Sequence, residues 1–196
     1  MKKLLFALAL TSSLISCKKE TTTQNTNGNT NTTDITKTST VGKPGPNITD
    51  NDGNTYKTVT IGTQTWMAEN LKTAKYSDGS AIPNVTDNNQ WQNNTTGAWC
   101  NYNNSDSLGK IYGKLYNWYA VSPTTNGNKN VCPTGWHVPT DAEWTVLTNY
   151  LGGDSVAGGK MKEVGTSNWN SPNTDATNTS LFTGLPGGGQ RLPWGL

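Results

Sequence analysis

The 196 residues carry 15 Lys and Arg against 13 Asp and Glu, with a single His and three Cys, for a formal net charge of +2. With no basic stripe to neutralise phosphates, nucleic acid is excluded as a partner. Apart from Cys17, which ends the N-terminal leader described next, Cys100, Cys132 and the single His137 supply only three of the four N or S ligands that a structural zinc site takes, so no metal is expected.

The first seventeen residues, "MKKLLFALALTSSLISC", join a basic start (Lys2, Lys3) to an apolar run from Leu4 to Leu10 and then to small or polar residues. The run is far shorter than the ~20 residues that span a bilayer, so it reads as a secretory signal over residues 1–16. "LISC" (Leu14 to Cys17) resembles a bacterial lipobox, in which the chain is cut just before the cysteine and the cysteine is acylated. The expectation is an exported lipoprotein, anchored by lipid on Cys17 to the outer membrane or cell surface and not spanning it. Loss of Lys2 and Lys3 would bring the basic side chains level with the 13 acidic ones.

Residues 17–54 are rich in Thr, Asn and Gly, with no aromatic residue. Such a stretch buries too little apolar surface to offset its ordering entropy and reads as a flexible tether. All eight Trp and seven Tyr lie at or beyond Tyr56, so the folded domain is placed over residues 55–196. Its apolar content, carried by Trp and Tyr, suits an exported, loop-rich fold of short strands.

"YKTVTIGTQTWMAENL" alternates apolar and polar positions around Gly62, which predicts a hairpin of Tyr56 to Ile61 with Gln64 to Met67. "DNNQWQNN" reads as a polar turn or short helix carrying Trp91, and "GKLYNWYAV" as strand or short helix. The clearest helix starts at Thr140. "TDAE" fits a capping box between Thr140 and Glu143, Asp141 and Glu143 suit the positive end of the helix dipole, and Gly152 and Gly153 supply the stop. A second, shorter helix is expected from about Ser155 to Glu163.

Candidate chemistry is sparse. His137, five residues from Cys132 across a Pro-Thr-Gly turn, has no nucleophile and orienting group placed by local sequence, so it reads as structural. Glu69, Asp78 and Asp87 fall in separate loops without the spacing of a glycosidase pair. "GGGQRLP" lacks the Lys and Ser/Thr of a phosphate loop. The Pro172–Asn173 pair alone does not assemble the 6–8 oxygens that calcium takes. Cys132 and Cys100 are the disulfide candidates of an exported chain. Trp66, Trp118, Trp136 and Trp144 sit in apolar or motif positions that look like core. Trp91, Trp99 and Tyr102, set among Asn and Thr, are the better candidates for ligand contact.

At "IGTQTWMAENL", "YGKLYNWYAV", "CPTGWHVPTDAEWTVLTNYLGG" and "FTGLPGG", in that order from about Tyr56 to Gly188, the chain resembles the Fibrobacter succinogenes major paralogous domain, a family of exported bacterial domains frequent on lipoproteins. The family is similar in turn to C-type-lectin-like folds. The resemblance implies an α+β domain with short antiparallel strands and one or two helices. Family members continue past "LPGG" to a late cysteine that the resemblance implies as the partner of Cys132, whereas this chain reads "GGQRLPWGL"; the expectation is an incomplete domain lacking its C-terminal strands. The function expected is a non-enzymatic, cofactor-free surface domain binding glycan or another surface macromolecule. An exported enzyme acting on polysaccharide or protein, or a non-functional truncated copy, are the alternatives.

Overall fold

The computed structural model describes residues 13–21 and 40–187. Lys2, Lys3, the apolar run Leu4 to Leu10, residues 22–39 and the stretch "GGQRLPWGL" lie outside the described residues.

In chain order the strands and helices are β1 (Ser13–Leu14), β2 (Lys18–Lys19), β3 (Gly42–Thr49), β4 (Thr55–Ile61), β5 (Gln64–Met67), α1 (Asn88–Asn93), β6 (Trp99–Asn101), α2 (Asp106–Tyr112), β7 (Lys114–Tyr116), α3 (Trp118–Val121), β8 (Trp136–His137), α4 (Asp141–Tyr150) and α5 (Asp154–Met161). The fold is α+β. A five-stranded sheet runs β3-β4-β5-β2-β8, and a three-stranded sheet runs β1-β7-β6, with antiparallel pairing throughout.

The predicted hairpin is present. β4 and β5 pair from Thr58↔Met67 to Ile61↔Gln64, and Gly62 turns the chain at φ +60°. Both faces of the hairpin are covered: Tyr56 and Met67 pack in one core cluster and Val59, Ile61 and Trp66 in another, while Lys57 is exposed. Leu147 and Leu151 of α4 and its end close over Val59, Ile61 and Trp66, and the Trp144 ring lies 4.6 Å from that of Trp66. The capping box forms as its residues dictate: the Thr140 side chain accepts from the Glu143 amide, and the Glu143 carboxylate accepts from the Thr140 amide. The second helix, α5, begins one residue earlier and ends two residues earlier than expected.

Two segments placed outside the expected folded domain belong to the fold instead. Gly42–Thr49, "GKPGPNIT", is a full strand against β4, from Gly42↔Ile61 to Thr49↔Thr55, with a bulge between Gly45 and Ile48. It carries two prolines, which an edge strand tolerates because a missing N–H on the outer side removes no ladder bond. The folded part therefore starts before Tyr56.

Residues 13–21 are the second such segment, divided by sequence between a signal and a tether. They run through the middle of the molecule. β1 pairs with β7 (Ser13↔Tyr116, Leu14↔Leu115), and β2 lies between β5 and β8 (Lys18↔Trp66, Lys18↔His137, Lys19↔Trp136). Ile15 and Cys17 point into the principal core beside Tyr56, Met67, Leu71 and Tyr116. The apolar-polar-apolar order Ile15-Ser16-Cys17 is the period of a strand with one buried face.

Candidate functional site

The inserted segment ends in a polar cluster around Glu143. The Cys17 and Cys132 sulfurs form a disulfide, with Cα atoms 5.9 Å apart. Next to it the Lys18 ammonium, with only 4% of its side chain exposed, sits 2.9 Å from Glu143 Oε1. The same carboxylate receives His137 Nε2 at 2.9 Å and the Thr140 amide at 2.9 Å. Partial burial works against the charged carboxyl, but the Thr140 amide, the Lys18 ammonium, His137 and the Thr140 hydroxyl together hold it down at about 2. His137 is thus an orienting partner of a helix cap, and Cys132 is committed to Cys17, so the two do not form a base and nucleophile.

Of the two disulfide candidates, Cys132 is bonded and Cys100 is not part of that bond. Cys100 is fully buried with Trp91, Ala98 and Leu115, and burial pushes its thiol up to about 11. The partner of Cys132 is Cys17 of the lipobox-like "LISC" and not the late cysteine that the family resemblance implies, and no local pattern links positions 115 residues apart. Among the described residues, no group of three or more His, Cys, Asp or Glu is placed to hold a metal ion.

Of the three contact aromatics, Trp91 and Tyr102 share one apolar cluster while Trp99 packs against another, and they are not equally available. Trp91 is 5% exposed and belongs to the core cluster that also packs Tyr102, which corrects its reading as a surface residue. Short α1 turns its one large apolar side chain inward because its other residues are all Asn and Gln. Trp99 is half-buried, its indole N–H donating to the Ile82 carbonyl at 2.9 Å and its ring covered by the Lys114 ammonium at 4.4 Å. Tyr102 stacks edge-on with Tyr112. Trp118, read as core, is instead 52% exposed: it is the first residue of α3, whose inward position is Ala120.

A cleft of about 190 Å³ opens between the loop after β5 and the loop after α5, and it gathers Glu69, Asn70, Lys72, Glu163, Asn168 and Phe182. Lys72 bridges to Glu69 at 3.2 Å, and the Asn168 amide donates to Glu163 at 3.0 Å. Ser16 of the inserted segment forms part of the wall. The loop after α5 is held by the Trp169 indole N–H donating to the Gly184 carbonyl at 3.0 Å, with Lys162 5.3 Å above the Trp169 ring. Glu69 is isolated from other acids along the sequence, but the fold brings Glu163 to the same cleft across 94 positions of chain, which no spacing rule could foresee. A second depression beside Tyr76, Thr96, Asn126 and Lys129 has no carboxylate in its lining, and its Asn126 amide donates to the Ala120 and Lys129 carbonyls.

No curated protein and no solved structure matches the chain. Residues 59–192, from β4 of the hairpin through the capping-box helix and the cleft loop, match the model of the Fibrobacter succinogenes major domain. With more than half of its length inside that match, the chain belongs to the Fibrobacter succinogenes major domain family.

Proposed function

We propose that this chain is an exported, non-enzymatic domain, held at a bacterial membrane by lipid on Cys17, that binds glycan or another surface macromolecule in the cleft over Phe182. The observation that carries the reading is the convergence of two carboxylates, two amides and one ammonium around an apolar floor. Planar polar side chains that fix hydroxyl groups, set beside an apolar surface, are the chemistry of a small polar-ligand site. The Cys17–Cys132 disulfide, which belongs to the chain before any lipid is attached, is the bond of an oxidising compartment and so supports export.

The test is binding of the full chain to a glycan array and to fibre polysaccharides, compared with Glu163→Gln and Lys72→Ala. Binding is expected to fall in both variants with the fold intact. Unchanged binding in both removes the cleft from the function. The enzyme reading keeps one supporting observation, the presence of Glu69 and Glu163 in one cleft, and it requires turnover that either Glu→Gln change abolishes.

A further inference from the structure

We propose that insertion of residues 13–21 into the sheet and acylation of Cys17 are competing fates of one sulfur, so that the Cys17–Cys132 bond regulates how much of the chain becomes membrane-anchored. This rests on the lipid-anchor reading above and adds a control to it.

The inserted segment is sealed against both steps of anchoring. Cys17 has no exposed surface, and its sulfur is bonded to Cys132. The Ser16–Cys17 peptide bond, where the chain would be cut, is flanked by main-chain bonds on either side: the Leu71 amide donates to the Ile15 carbonyl at 2.8 Å, and the Met67 amide donates to the Cys17 carbonyl at 2.9 Å. Ser16 Oγ also donates to the Met67 carbonyl at 2.7 Å. A processing enzyme needs this stretch free and extended, so the strand must leave first. Its exit is opposed by Lys18, whose ammonium would separate from Glu143, and by the disulfide. In the other direction, a diacylglyceryl group on Cys17 cannot re-enter a position with no exposed surface and no room beside Cys132.

The chemistry balances with a cellular dithiol as reductant. One thiolate of the dithiol attacks the Cys17–Cys132 bond to give a mixed disulfide, and its second thiolate closes the dithiol to a cyclic disulfide. Cys17 and Cys132 are left as thiols, having gained the two electrons and two protons the dithiol gives up. The Cys17 thiolate then attacks the glycerol carbon of a diacylglyceryl phospholipid. A C–S bond forms, the C–O bond to the phosphate breaks, and the phosphate headgroup leaves with the electron pair while the thiol proton goes to water.

The experiment expresses the full chain in a bacterium that acylates lipoproteins. Intact-mass measurement after thiol alkylation then gives the ratio of acylated, processed chain to unprocessed, oxidised chain. The variants are Cys132→Ser, which removes the disulfide, and Cys100→Ser, which perturbs a buried thiol outside it. Cys132→Ser is expected to raise the ratio about tenfold, equivalent to about 1.4 kcal/mol of lost strand retention, and Cys100→Ser to leave it unchanged. Isolated unprocessed chain given membranes is expected to become acylated only when a dithiol is added. An equal ratio in wild type and Cys132→Ser overturns the competition, as does an equal rise in Cys100→Ser, which would assign the effect to general loosening. Absence of any acylated species, in every variant and with dithiol, overturns the lipid-anchor reading itself and the competition with it.

Discussion

Lys18 and Glu143 meet 2.9 Å apart across 125 positions of chain, one on a strand within two residues of the inserted disulfide and the other in the first turn of α4. The contact locks the N-terminal segment to the best-defined helix of the fold. Glu143 at once caps α4, receives His137 and neutralises a nearly buried ammonium.

Replacing Glu143 by Gln leaves the Lys18 charge buried without a counter-charge, a loss of about 3 kcal/mol. It should appear as a lower midpoint in urea unfolding. The pH dependence follows from the same group. A carboxyl held near 2 against an ordinary value of 4.5 contributes stability above pH 4.5 that is lost as pH falls towards 2. The gap in melting temperature between wild type and Glu143→Gln should therefore close on acidification through that window, and a gap independent of pH there would rule out the carboxylate as its source.

Cys17 and Cys132 close a loop of 115 residues, and a loop of that size restricts the unfolded chain by about 5 kcal/mol on the chain-entropy account. Adding a dithiol to the unprocessed chain is expected to lower its urea midpoint sharply, and Cys132→Ser should have the lower midpoint without dithiol. Mapping of non-reduced peptides should find residues 17 and 132 joined, with Cys100 as a thiol. A bond from Cys132 to Cys100 in that map would refute the pairing.

What could be read from the chain was what its local chemistry carries. The hairpin of β4 and β5 follows from alternation and one glycine, and α4 from Thr140 and Glu143, because each needs only neighbours within a few positions. The family was legible too, through the long motifs around Trp66, Trp118 and Trp136. β3 was missed because "GKPGPNIT" carries too little apolar surface to announce a strand, and it is held as the edge of a sheet whose other strands lie elsewhere in the chain. The roles of Lys18 and Cys17 were hidden for the same reason. A lysine beside a signal looks solvated until Glu143 is brought to it, and a lipobox cysteine gives no hint of a bond to Cys132. The cleft was out of reach because Glu69 and Glu163 belong to loops of separate elements.

Trp91 and Trp118 should separate stability from contact. Truncating Trp91 empties a core position and is expected to cost about 3–5 kcal/mol, lowering ligand binding only through loss of folded protein. Truncating Trp118, half exposed on α3, should change stability by less than about 0.5 kcal/mol. Unfolding curves for the two Ala variants check both numbers, and a Trp118→Ala variant that melts as low as Trp91→Ala would contradict the placement of α3.

Gly42 is required by space and not by conformation. A Cβ there would run into the Ser180 carbonyl and lie 2.8 Å from Cγ2 of Val59, so the side chain has no room between β3 and the loop that closes the cleft. The Thr179 carbonyl accepts from the Val41 amide at 2.8 Å, which pins that loop to the start of β3. Gly42→Ala must therefore push the loop away from the sheet, at a cost of about 1–3 kcal/mol, and with it Phe182 at the cleft floor. Gly79, where a Cβ meets nothing within 4 Å but φ is +84°, is the matched control: Gly79→Ala strains the backbone without touching the cleft. If ligand binding is lost in Gly42→Ala and kept in Gly79→Ala at equal folded fraction, the contact of β3 with residues 179–182 shapes the site. Equal binding by the two variants would show that it does not.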